Sequence, residues 1–85
     1  MSIALKIDMP EGAFSALRMD PDGLAKELRL AAAVKWFEIG IISQEKAAEI
    51  AGLSRAEFIF CLSRFNVSPF QYTIDEIREE LKRGI

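Results

Sequence analysis

Ser43–Asn66, SQEKAAEIAGLSRAEFIFCLSRFN, decides the fold of this chain, because it reads as two short helices joined by a tight glycine turn. Ser43 is an N-cap for a helix over 44–51, in which Ala47, Ala48 and Ala51 are small enough to let a second helix cross closely. Gly52 stands where that first helix must stop, in a left-handed conformation that other residues resist. Ser54 opens a second helix, predicted over 55–65, and Glu57 three residues later completes a capping box. Phe58, Cys61, Leu62 and Phe65 recur at spacings of three and four, so one face of this helix is core. Ala48 and Gly52 lie four apart, with Leu53 next and Phe58 inside the second helix, which makes the stretch a helix-turn-helix candidate. A generic helical hairpin would carry much of the same pattern, and both readings stand at this point.

A helix that reads DNA presents polar or basic side chains to base edges from its first turns. Here that surface falls to Ser54, Arg55, Ala56, Ile59, Phe60 and Ser63. Arg55 suits guanine or phosphate, and Ser54 and Ser63 can reach phosphates, so these three are the candidate DNA contacts. Ile59 and Phe60 do not fit that chemistry. Phe58–Leu62 is five apolar residues in a row, which predicts a helix buried on more than one side. A second protein surface explains Ile59 and Phe60 more simply than DNA does. The pattern thus favours a helix-turn-helix shape over helix-turn-helix chemistry.

Outward from this core, Ser2–Met9 alternates: Ile3, Leu5, Ile7 and Met9 point one way, and Ser2, Ala4, Lys6 and Asp8 the other. That predicts a half-buried strand over 2–9. Pro10 ends it and suits the first helical position of a short turn carrying Phe14 and Leu17. Asp20, Pro21 and Asp22 start a helix predicted over 21–39, with Gly40 as its stop. This helix has two apolar faces. Leu24, Ala25, Leu28, Ala32, Trp36 and Ile39 form one, and Leu30, Ala33, Val34 and Phe37 the other. A core helix within the monomer and a dimer-forming helix both satisfy that pattern. Val67–Tyr72, around Pro69, reads as an edge strand. Thr73 caps a last helix over 74–82 whose narrow apolar stripe is Ile74, Ile77 and Leu81 and whose front is acidic. It reads as a solvated amphipathic helix or as an arm that docks on a partner. The fold class is therefore mainly α: a short N-terminal strand, a long central helix, the hairpin and a C-terminal amphipathic helix in one domain spanning 1–85.

At 85 residues, with 51% of them apolar, the chain holds more apolar side chains than so small an interior can hide. A homodimer or higher oligomer is expected, with Trp36, Phe37, Ile59, Phe60, Ile74, Ile77 and Leu81 as candidates for oligomer or partner contacts. The formal charge of -2 argues against strong autonomous DNA affinity, which needs phosphates neutralised. The single cysteine, Cys61, excludes an internal disulfide and reads as a buried thiol. No stretch approaches the ~20 apolar residues of a membrane span, and no cleavable signal pattern opens the chain, so it reads as cytoplasmic. There is no histidine, Cys61 has no activating neighbour, and Gly-rich phosphate loops are absent. Asp20 and Asp22 read better as a helix start than as cation ligands. No enzyme, cofactor or metal site is expected.

The whole chain also resembles a small prokaryotic family of uncharacterised, antitoxin-like proteins. The resemblance lies in IDMPEG (Ile7–Gly12), WFEIGIIS (Trp36–Ser43), KAAEIAGLSRAEF (Lys46–Phe58) and QYTIDEIREEL (Gln71–Leu81), the third being the most specific. Such proteins are regarded as partners of PIN-like proteins, a class of ribonuclease toxins. The resemblance implies an antitoxin that binds its toxin and represses its own operon. Only Ser54 and Arg55 carry over as DNA contacts. Three readings are therefore expected to compete: an antitoxin with a DNA-facing hairpin; an interaction subunit that uses the hairpin only for packing; and a dimer in which two N-terminal strands pair, as in ribbon-helix-helix repressors. In the third, Ala4, Lys6 and Asp8 would face the groove, which is poor DNA chemistry but a sound way to dimerise.

Overall fold

Local signals set the helix ends, and they act within three or four residues. In the computed structural model, which describes residues 2–70, Asp20 caps the long helix by accepting a 2.7 Å hydrogen bond from the Gly23 N–H, and Pro21 supplies its first turn. That helix, α2 (Pro21–Glu38), follows a short α1 (Glu11–Leu17) and precedes α3 (Gln44–Ala51) and α4 (Arg55–Leu62). A 3₁₀ turn over Ser63–Phe65 tightens the end of α4, so the segment predicted as one helix over 55–65 changes pitch at its last turn. α2 stops one residue earlier than expected. Gly40, at φ 81°, then turns the chain as anticipated, its N–H bonding the Phe37 carbonyl. Ser43 caps α3 through the Lys46 N–H, and Gly52 ends α3 at φ 74°, where an L side chain would be strained. Pro10 lies just outside α1 as its N-cap, not at the first helical position.

Among the described residues there is no strand. The alternating segment 2–9 is extended, but its backbone makes no hydrogen bond to other described residues, and Ser2–Asp8 are exposed. Alternation reports which way side chains point; a strand also needs a second backbone alongside it. Residues 67–70 of the expected edge strand are likewise not a strand. Asn66 turns left-handed at φ 55°, which folds Val67 back into the core, and the Gln44 side chain takes the Pro69 carbonyl. Gln71, Tyr72 and the helix expected over 74–82, with Ile74, Ile77 and Leu81, lie outside the described residues.

α2 lies along α3, and α3 packs on α4. Their shared core is Leu30, Ala33, Val34 and Phe37 from α2, Ala47 and Ala48 from α3, and Phe58 and Leu62 from α4, closed by Val67. The rings of Phe37 and Phe58 meet edge to face with centroids 5.8 Å apart, a favoured aromatic geometry. Ala47 and Ala48 are buried without bulk, which lets α3 sit close between its neighbours. Of the two apolar faces of α2, the Leu30–Phe37 face makes this core. On the other, Leu24 is buried outside the main cluster, Leu28 and Ala32 are half-buried, and Ala25, Trp36 and Ile39 are exposed.

Candidate functional site

The site is the outer side of α4 and the turn that feeds it. Ser54 and Glu57 close the expected capping box. The Ser54 hydroxyl accepts from the Glu57 N–H at 3.1 Å, and the Ser54 N–H donates to the Glu57 carboxylate at 2.9 Å. The Ser54 N–H, and after it the Ser54 hydroxyl, hold the Glu57 carboxyl below its ordinary pKa, so a negative charge persists on the first turn of α4. Arg55 is exposed, yet its Nε donates to the Gln44 carboxamide oxygen at 2.7 Å, and the amide of the same side chain donates to the Pro69 carbonyl at 2.8 Å. Gln44 therefore ties the starts of α3 and α4 to the segment after the 3₁₀ turn. The Ser63 hydroxyl donates to the Phe60 carbonyl one turn earlier.

Each of the three candidate DNA contacts, Ser54, Arg55 and Ser63, is thus engaged within the protein, with Glu57, Gln44 and the Phe60 carbonyl in turn. The other cations of the hairpin are engaged as well. Lys46 pairs with Glu49 at 2.7 Å, and Arg64 with Glu27 of α2 at 2.7 Å while its guanidinium sits 5.2 Å from the Phe65 ring centroid. The shared hydrogen bond, ahead of their mutual attraction, raises the Lys46 pKa and lowers that of Glu49. Gln44–Phe65 carries three cations and three carboxylates, so the hairpin brings no net positive charge of its own toward a phosphate backbone.

What α4 does present is apolar. Phe58 and Leu62 point inward, leaving Phe60 84% exposed and Ile59 38% exposed. The expectation that this helix is buried on more than one side is corrected: five consecutive apolar residues circle the helix, and α3 and α2 cover only the Phe58–Leu62 side. Leu53, Ala56, Glu57, Phe60 and Cys61 line a shallow cup beside the exposed ring. Cys61 is half-buried at its edge, not sealed in the core as expected. Among the remaining interface candidates, Trp36 is 42% exposed on α2. Phe37 is withdrawn as a contact residue, because it is 1% exposed and packs on Phe58.

Two structural residues of this region escaped sequence reasoning. Besides Gln44, the Arg29 Nε of α2 donates to the Ile50 carbonyl at the end of α3 at 2.8 Å, with its guanidinium lying against Gly52. Neither bond joins residues on one helical turn: they span 21 and 25 positions, beyond any local spacing rule.

The chain belongs to the uncharacterised protein family UPF0175, whose model matches residues 1–84. It is similar to a UPF0175 protein of Aeropyrum pernix, at 40% identity over 89% of this chain and 80% of that protein. A second UPF0175 protein of the same organism is 43% identical over 68% of this chain and 73% of its own length. One from Archaeoglobus fulgidus is 41% identical over 68% and 66%. No solved structure matches the chain. Among the described residues, no helix is long and apolar enough to cross a membrane.

Proposed function

We propose that this UPF0175 chain is a non-catalytic interaction subunit, the antitoxin of a toxin–antitoxin pair, and that the outer side of α4 docks on a PIN-like toxin. One observation carries the docking reading: the helix surface that would have to read a phosphate backbone is instead led by Phe60, 84% exposed, with Ile59 and the Leu53–Cys61 cup around it. An exposed aromatic ring beside a shallow apolar cup suits a protein partner, where burying one such ring stabilises the complex by about 1.5–3 kcal/mol. The partner class rests on the resemblance carried by the four motifs, and the lack of histidine supports a binding rather than a catalytic role.

Co-expression tests it. The chain is produced with a PIN-like protein of its own genome, and recovery of the complex is compared between wild type and Phe60→Asp. Loss of the complex in a variant with unchanged circular dichroism supports the reading, whereas a complex recovered in full refutes α4 as the docking face. A second reading, binding to the operon's own promoter, draws support from the two eight-residue helices and their left-handed Gly52 turn, the proportions of a helix-turn-helix unit. It requires Arg55 to exchange Gln44 for a phosphate. Arg55→Ala should then weaken binding to a promoter fragment and lower the salt slope by about one contact.

A further inference from the structure

We propose that residues 5–9 pair, antiparallel, with the same residues of a second copy, with the two-fold axis passing at Ile7. The proposal is independent of what α4 binds. Segment 2–9 is extended, exposed over Ser2–Asp8, and without a backbone hydrogen bond to other described residues, so no described segment occupies either of its edges. Its apolar side chains are not scattered. Ile3, Leu5, Ile7 and Met9 all line one open groove, whose opposite wall includes Leu28 of α2 and Ile50 of α3. Ile3 and Leu5 are nevertheless 95% and 82% exposed, so the segment stands off that wall without closing on it.

The solvent side says what the second strand is. Lys6 and Asp8 carry opposite charges two residues apart, on the face away from the groove. In a parallel in-register pair each would face its own like. In an antiparallel pair centred on Ile7, Lys6 lies opposite Asp8 of the other copy and Asp8 opposite its Lys6, two complementary pairs on one face. On the other face Ile7 meets Ile7, and Leu5 meets Met9. Centring on Lys6 opposes two ammonium groups, and centring on Leu5 leaves both charges without an opposite charge. A slip of one residue puts apolar side chains against polar ones. With residues 5, 7 and 9 as the hydrogen-bonded positions, the missing N–H of Pro10 falls outside the ladder. A two-fold interface must be self-complementary, and this segment is so in one register only.

The test uses the full chain with Cys61→Ala. Ile7→Cys places two thiols across the axis at about 5.5 Å between Cα atoms, inside the disulfide range, and should give a covalent dimer on oxidation. Leu5→Cys should not, because each Leu5 faces Met9. By sedimentation equilibrium at low salt, Lys6→Asp and Asp8→Lys should each weaken the dimer about tenfold, and the double exchange should restore it. These are exposed positions, and circular dichroism checks that the helices persist. A chain monomeric at all concentrations, a Leu5→Cys dimer in place of the Ile7→Cys dimer, or a double exchange that does not restore association would each overturn the proposal.

Discussion

Gly52→Ala separates what a turn needs locally from what the surrounding helices need. Gly52 sits at φ 74° and ψ 29°, a region that costs an L side chain about 1–2 kcal/mol. A Cβ there would also lie 3.1–3.2 Å from three atoms of the Arg29 guanidinium, the group whose Nε holds the Ile50 carbonyl. The guanidinium is the far end of a flexible side chain, so it yields by a few tenths of an ångström and strains a surface hydrogen bond contributing about 1 kcal/mol. Together the two effects put Gly52→Ala at about 2–3 kcal/mol. In an Arg29→Ala background only the dihedral remains, and the same substitution should cost about 1–2 kcal/mol. The double-mutant cycle should therefore show a coupling of about 1 kcal/mol. Urea unfolding followed by circular dichroism, at one fixed protein concentration, measures all four proteins. A Gly52→Ala cost below about 0.5 kcal/mol would refute the left-handed requirement. Strictly additive costs would refute the contact between turn and guanidinium.

Other outcomes follow from single residues. Phe58→Ala should lose about 3–5 kcal/mol by urea unfolding, because the ring is fully buried against Phe37 and its removal leaves a cavity in the core. Phe60→Asp should shift stability by less than about 0.5 kcal/mol, since that ring is exposed, while abolishing partner recovery in co-expression. For pH, Glu57 and Glu49 have lowered pKa values, so the stability they lend is complete above their ordinary 4.5 and drains as pH falls through the lowered values. Lys46 is raised, so its share is complete below 10.5 and lost as pH rises through the raised value. Carboxyl titration by NMR should place Glu57 below 4.5, and Ser54→Ala, which removes the hydroxyl but keeps the N–H, should return it only partway.

The helix ends of this protein were legible in its sequence. Asp20, Gly40, Ser43, Gly52 and Ser54 act on backbone groups within a few residues, and each stands where a cap or stop was expected. Periodicity likewise named Phe58 and Leu62 as core. Of the candidate site, the Ser54–Glu57 capping box was legible, because its partners stand three residues apart, whereas the engagement of Arg55 with Gln44 and of Ser63 with the Phe60 carbonyl required coordinates.

Tertiary structure decided which apolar faces are covered. Trp36 and Phe37 are neighbours in sequence and equal in hydrophobic promise, yet one faces solvent and the other seals against Phe58. Residues 2–9 carry the alternation of a strand, but their pairing depends on a backbone that no local rule supplies. Caps and stops are contacts within one helical turn, so the residue types alone determine them. Burial, the bonds of Arg29 and Gln44, and strand pairing depend on which distant segment arrives alongside, and only the packed chain decides that.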